Sequence, residues 1–183
     1  MEQNIAFNTN ENLLNLERNA RKPEVNQVCA GKILAISISK RKGTPKSNVD
    51  SVKLIEGYGI ENDAHAGKWH RQVSFLAIES IQRMRDKGLP KLRPGAFAEN
   101  LTTEFIDLPA LKIGSVVKIG NEAELEITQI GKECHAKCAI YYKVGDCVMP
   151  AEGIFGIVKK GGMISANDEV IVLEPPVSDF KEN

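Results

Sequence analysis

Apolar and polar positions take on a regular rhythm only from residue 28. Residues 1–27 are rich in Asn, Glu, Arg and Lys, with Leu13, Leu14 and Leu16 forming an apolar knot ahead of Pro23, and they read as a polar arm. Beyond it, Leu34, Ile36 and Ile38 alternate with Ala35, Ser37 and Ser39, the period of a strand with one buried face. Residues 73–77 (VSFLA) predict a short buried strand, and Ile78, Ile81 and Met84 then recur at helical spacing. That helix has a stop with a mechanism. Arg85 and Lys87 put cations at its carbonyl end, Gly88 accepts the left-handed conformation, and Pro90 follows. Met84 belongs to its apolar stripe and is read as a core residue.

Farther on, residues 115–119 and 123–130 flank Gly120-Asn121, where glycine supplies the positive φ of a tight turn, so a hairpin is expected. Residues 169–173 (EVIVL) predict a closing strand before Pro175-Pro176. Many short strands punctuated by Gly, with one clear helix, point to a β-rich barrel or an α+β domain. The expected organisation is a polar arm over residues 1–27, one domain over 28–174 and a polar tail over 175–183. A length of 183 residues agrees with a single domain.

Charge narrows the function. Twenty-four Lys+Arg balance 24 Asp+Glu, so no net field draws the chain to nucleic acid or to an anionic membrane. No apolar run reaches the length of a membrane span and the first residues lack a signal-peptide core, which leads us to expect a cytoplasmic protein. In a reducing compartment Cys29, Cys134, Cys138 and Cys147 are expected as thiols, metal ligands or redox groups. Three of them fall inside residues 131–150 (GKECHAKCAIYYKVGDCVMP), directly after a predicted strand. Lys132, Lys137 and His135 would favour a thiolate there. Zinc is a rival use of Cys and His, but C-x3-C is not the usual C-x2-C knuckle and no second pair matches it. Cys29 and Cys147 read best as small buried thiols.

Two further segments concentrate polar groups. Residues 57–71 (GYGIENDAHAGKWHR) bring Asp63, His65, His70 and Arg71 together around glycines, and Arg71 offers a bidentate fork for an anion. Residues 93–103 (RPGAFAENLTT) set Glu99 beside Asn100, whose amide both donates and accepts and would suit a heterocycle edge. A buried Asn capping a turn is the alternative. The basic run 40–48 (KRKGTPKSN) reads either as a solvated loop or as a lid over a phosphate. Nucleotide-binding, serine-hydrolase and zinc-protease signatures are absent.

Taken in order, GIENDAHAGKWHRQVSFLAIESI, LRPGAFAENLTT with IDLPALKIGSVVKIG, and ITQIGKECHAKC through EGIFGIVKKGGMISANDEV resemble the MOSC domain, the module named for the C-terminus of the molybdenum-cofactor sulfurases, in its short stand-alone bacterial type. The resemblance spans roughly residues 29–174. It implies a mainly β fold, a β-barrel with a few short helices similar to the pyruvate kinase β-barrel-like fold. It also implies a reactive cysteine after a barrel strand, at Cys134 when Thr128-Gln129 is the anchor, or at Cys138, which matches the molybdenum-associated cysteine of longer relatives. Family members are proposed to carry sulfur as a persulfide from a pyridoxal-phosphate cysteine desulfurase, or to bind molybdopterin with cysteine as a molybdenum ligand and reduce N-hydroxylated compounds.

On that resemblance Cys134 and Cys138 are the candidate catalytic and metal-ligating residues. Asp63, His65, Arg71, Glu99, Asn100, Thr102 and Lys132 are the candidate cofactor contacts. No lysine stands out as a pyridoxal-phosphate Schiff base, so that cofactor would belong to the partner. Two departures from the family pattern are Asn62-Asp63 and Asn167-Asp168 where Gly-Asp is usual. Asn tolerates the left-handed conformation, so both turns are expected to survive. The rival class of function is a binding module with structural cysteines, and a small zinc-stabilised protein is a third reading.

Overall fold

The computed structural model describes residues 27–132 and 137–173. The greater part of the expected arm, the tail and the stretch holding Cys134 and His135 lie outside the described residues. Eleven strands are described: β1 (Gln27–Ile38), β2 (Ser47–Val49), β3 (Ser51–Ile55), β4 (Gly59–Ile60), β5 (Val73–Ala77), β6 (Leu101–Glu104), β7 (Val116–Ile119), β8 (Ala123–Ile130), β9 (Ile154–Lys160), β10 (Gly162–Ser165) and β11 (Glu169–Leu173). Three short helices accompany them, α1 (Ile78–Asp86), α2 (Ala139–Val144) and α3 (Met149–Glu152). The expected strands over 73–77, 123–130 and 169–173, the Gly120 turn (φ 56°) and the helix from Ile78 all form as the sequence predicts.

Seven strands close into a barrel in the order β11-β7-β8-β9-β5-β6-β1, with β1 returning to pair β11. Closure removes the exposed edges an open sheet would leave. All neighbours are antiparallel except β5 and β6, whose parallel pairing (Phe75 opposite Leu101) requires the crossover that carries α1. β2 pairs with the far end of β1, and β10-β3-β4 form a small separate sheet.

Alternation sorts the side chains. Ala123, Leu125 and Ile127 of β8 and Val170 and Val172 of β11 enter one core cluster with Val73, Phe75 and Ala77 of β5. Leu76 of β5 and Phe155 of β9 point the other way and join Ile81, Met84, Phe97, Val148 and Met149 in a second cluster beneath the helices. β5 is thus covered on both faces and buried at all five positions, which is why it reads as a continuous apolar run. Met84 is wholly buried in that second cluster, and Cys147 packs at its margin. Both Asn departures survive through the left-handed conformation, with Asn62 at φ 63° and Asn167 at φ 71°.

Phe75 is the largest side chain buried completely at the barrel centre. Phe75→Ala is expected to cost about 3–5 kcal/mol in urea unfolding, and a loss below about 1 kcal/mol would contradict this packing.

Candidate functional site

Two loops and the turn before β6 meet on the helix-covered side of β5. The organising contact is between Lys46 and Asp63, whose side chains are each 1% exposed and whose Nζ and Oδ1 are 2.8 Å apart. Asp63 Oδ1 also accepts the Ser39 N–H at 2.9 Å, and Oδ2 accepts the His65 N–H at 3.0 Å. Burial favours the neutral acid, but the hydrogen bond from Lys46, the two amides and the Lys46 charge together outweigh it and hold the Asp63 carboxyl below the ordinary aspartate range. Burial also lowers the Lys46 pKa, against the opposing pull of Asp63 and, more weakly, Glu99.

Lys46 therefore departs from both readings of the basic run. It is neither solvated nor free to meet a phosphate, and residues 47–49 are strand β2. Lys40, Arg41 and Lys42 remain exposed.

Glu99 is fully buried, and its oxygens accept the N–H groups of Gly95 and Phe97 and the Thr102 hydroxyl. Burial raises its pKa, opposed by those donors. It staples the 93–99 turn, in which Ala98 holds φ 66°. Gly95 is needed there: at φ 88°, an added Cβ would sit 2.8 Å from Ser37 Oγ and 3.4 Å from the Lys46 Cβ. Asn100 bridges three strands, its Oδ1 accepting from the Ser74 N–H and Oγ and its Nδ2 donating to the Ser37 carbonyl. The capping alternative is closer to this geometry than the heterocycle-edge reading.

These contacts define a cleft of ≈ 60 Å³ lined by His65, Trp69, Arg71, Asn100, Lys132 and Phe155, among others. Arg71 lies with its guanidinium carbon 4.9 Å from the Trp69 ring centre and 5.8 Å from that of Phe155. Its Nε is buried with no hydrogen-bond partner, whereas His65 Nδ1 faces Asp63 Oδ2 at 3.5 Å. Burial, reinforced by the Lys46 charge, lowers the His65 pKa, so its imidazole is neutral near pH 7. An unpaired buried guanidinium N–H beside a lysine is the chemistry of an oxyanion site. The volume suits a phosphate-sized group.

His65, Arg71, Asn100 and Lys132 are thus brought together, while Asp63, Glu99 and Thr102 lie behind them and hold the loops. His70 bonds Gln129 at 3.0 Å, docking the 57–71 loop on the end of β8. Lys132 opens the cysteine segment. Its N–H donates to the Met149 carbonyl, and the Gly131 N–H donates to the Gly153 carbonyl at 2.7 Å. A Cβ on Gly131 would meet the Pro150 oxygen at 2.1 Å, so this exit tolerates only glycine. Cys134 lies outside the described residues. Cys138 is exposed at the N-cap of α2. Among the described residues no three His, Cys, Asp or Glu side chains converge on a metal position. Sequence reasoning missed Lys46, Ser74, Met149 and Phe155; Lys46 was hidden inside a run that looked solvent-exposed.

The MOSC domain family matches residues 62–171, more than half of the chain, and the chain belongs to it. The YuaD protein of Bacillus subtilis is similar in fold, with 20% identity, a TM-score of 0.67 and coverage of 80% of this chain and 97% of that one. YiiM from Geobacillus stearothermophilus (18% identity, TM-score 0.61, 81% and 77% coverage) and YiiM from Escherichia coli (19%, 0.57, 81% and 72%) share the fold as well. No curated protein matches.

Lys46→Met or Asp63→Asn is expected to cost about 3–5 kcal/mol, with the double variant losing less than the sum. Additive losses in urea unfolding would contradict the pairing. Because the Asp63 pKa is depressed on folding, its contribution is complete above the unfolded value of about 3.9 and is lost as pH falls through the lower folded value. Acid unfolding of Asp63→Asn should therefore be less steep below about pH 4 than that of the wild type, and identical profiles would remove Asp63 from the account.

Proposed function

We propose that this protein binds the molybdenum cofactor, with the phosphate end of molybdopterin held at Arg71, His65 and Lys132 and a thiol of the 131–138 segment, Cys134 or Cys138, as molybdenum ligand. The observation that carries the reading is the buried, unpaired Nε of Arg71 in a phosphate-sized cleft at the root of that segment. Arg71 is pre-positioned by its two flanking rings, so little side-chain freedom is lost when it meets an oxyanion. Lys132 adds a second cation, and neutral His65 donates a hydrogen bond in one tautomer. When bound, the cofactor supplies two-electron redox chemistry; the protein supplies the soft ligand and the anion contacts. Membership of the MOSC family supports this use of the site, including reduction of N-hydroxylated compounds.

The exposure of Cys138 favours a second reading, in which the thiol accepts sulfur from a cysteine desulfurase and carries it as a persulfide. A thiolate attacks the donor's outer sulfur, and the donor thiolate leaves.

Protein made in a host that synthesises molybdenum cofactor is expected to carry molybdenum and pterin at close to one per chain, and Cys134→Ser or Cys138→Ser is expected to lose the metal. Full loading in both single variants would overturn the proposal. Absence of metal and pterin, with one added sulfur atom on a single cysteine after incubation with desulfurase and cysteine, would select the carrier.

A further inference from the structure

A second concavity lies apart from the anion cleft, between the 88–92 turn and α2. It is a groove of ≈ 470 Å³ lined by Gly88, Leu89, Pro90, Lys91, Leu92, Ala139, Ile140 and Lys143. Leu89, Leu92 and Ile140 give it an apolar floor continuous with the second core cluster. Lys91 stands on one wall and Lys143 on the other, both exposed and neither in an ion pair among the described residues. Several neighbouring charges are already engaged. Lys87 pairs with Asp146, Arg85 turns inward to the Leu92 carbonyl, Asp86 accepts from Gln82, and Lys137 stacks over the Tyr141 ring at 3.9 Å. What the groove offers outward is therefore an apolar slot between two unmatched positive charges.

We propose that this groove docks a partner protein through an acidic segment that inserts an apolar side chain between Leu89, Leu92 and Ile140 and sets carboxylates against Lys91 and Lys143. The occupant follows from complementarity: an apolar floor gives affinity and unmatched lysines on both lips select an acidic rim. Tyr142, 77% exposed on α2, adds an aromatic of the kind that anchors interfaces. The position also has a consequence for chemistry. Cys138 caps the same helix five residues before Lys143, about 7.5 Å along the axis at ~1.5 Å per residue. A partner seated here lies beside Cys138, as delivery or withdrawal of sulfur or electrons requires. Only the identity of what is exchanged rests on the function proposed above.

The test is fluorescence anisotropy of a labelled Glu-rich helical peptide with leucines at i and i+4, titrated with the full chain free of molybdenum, so that its outcome is separate from cofactor loading. Saturable binding that weakens at least about tenfold in the Lys91→Glu, Lys143→Glu double variant, is unchanged in Arg71→Ala and falls with salt is the expected result. Both lysines are exposed, so the variant keeps the fold, and circular dichroism checks this. No saturable binding, equal affinity for the charge-reversed protein, or equal binding of an all-Glu peptide without leucines would overturn the proposal. So would competition by a peptide of residues 174–183, which would assign the groove to the chain's own tail, or a preference for anionic phospholipid vesicles over the peptide.

Discussion

The buried ion pair between Lys46 and Asp63 is the contact on which the rest of the site depends. Taking both charges out of water costs several kcal/mol per ion, and a pair of this kind persists only when its remaining valences are met. Asp63 meets them with the Ser39 and His65 amides, so one carboxylate fixes the end of β1, the 40–46 turn and the start of the 57–71 loop together. A pair of apolar residues could fill the same volume, but it would not orient two amides and an imidazole. The energetic cost is thereby converted into geometry at His65, the first residue of the cleft wall.

Glu99 performs the same service on the opposite wall. Its burial is unfavourable, as its raised pKa records, yet it collects two backbone donors and a hydroxyl, and so holds Ala98 in a left-handed conformation that alanine disfavours. Between these walls, Asn100 and Ser74 line the cleft and tie β5, β6 and β1 where the one parallel pairing in the barrel occurs. The cleft is thus built on the barrel's outer layer. The cysteine segment begins from it at a glycine that accepts no substitution.

How much of this was legible in the sequence depends on the range of the interaction. Strands β8 and β11 and helix α1 announce themselves because their burial pattern is local and periodic, and β5 because it is a continuous apolar run. β3 also alternates, with Val52 and Leu54 buried, and could have been found the same way. The Asn62 and Asn167 turns were readable because a left-handed backbone has a short list of tolerated residues. Lys46 was not readable. Its neighbours Lys40, Arg41 and Lys42 are exposed, and only the tertiary approach of Asp63, 17 positions later, buries it. Asp63, Glu99 and Thr102 were read as cofactor contacts and are buried in the loop framework; sequence does not distinguish a residue that touches a ligand from one that holds the loop that does. Arg71 between two rings and the pairing of Lys132 with α3 likewise arise from contacts between distant segments.

The central claim is that the Lys46–Asp63 pair shapes an oxyanion site at Arg71. The most direct measurement is nuclear magnetic resonance of the arginine Nε–H signals during titration with inorganic phosphate, in the wild type and in Asp63→Asn under conditions where both are folded. The account predicts that the Arg71 Nε–H signal shifts saturably in the wild type, ahead of the other arginines, and that the affinity drops at least about tenfold in the variant. A signal that ignores phosphate, or responds equally in both proteins, would contradict it.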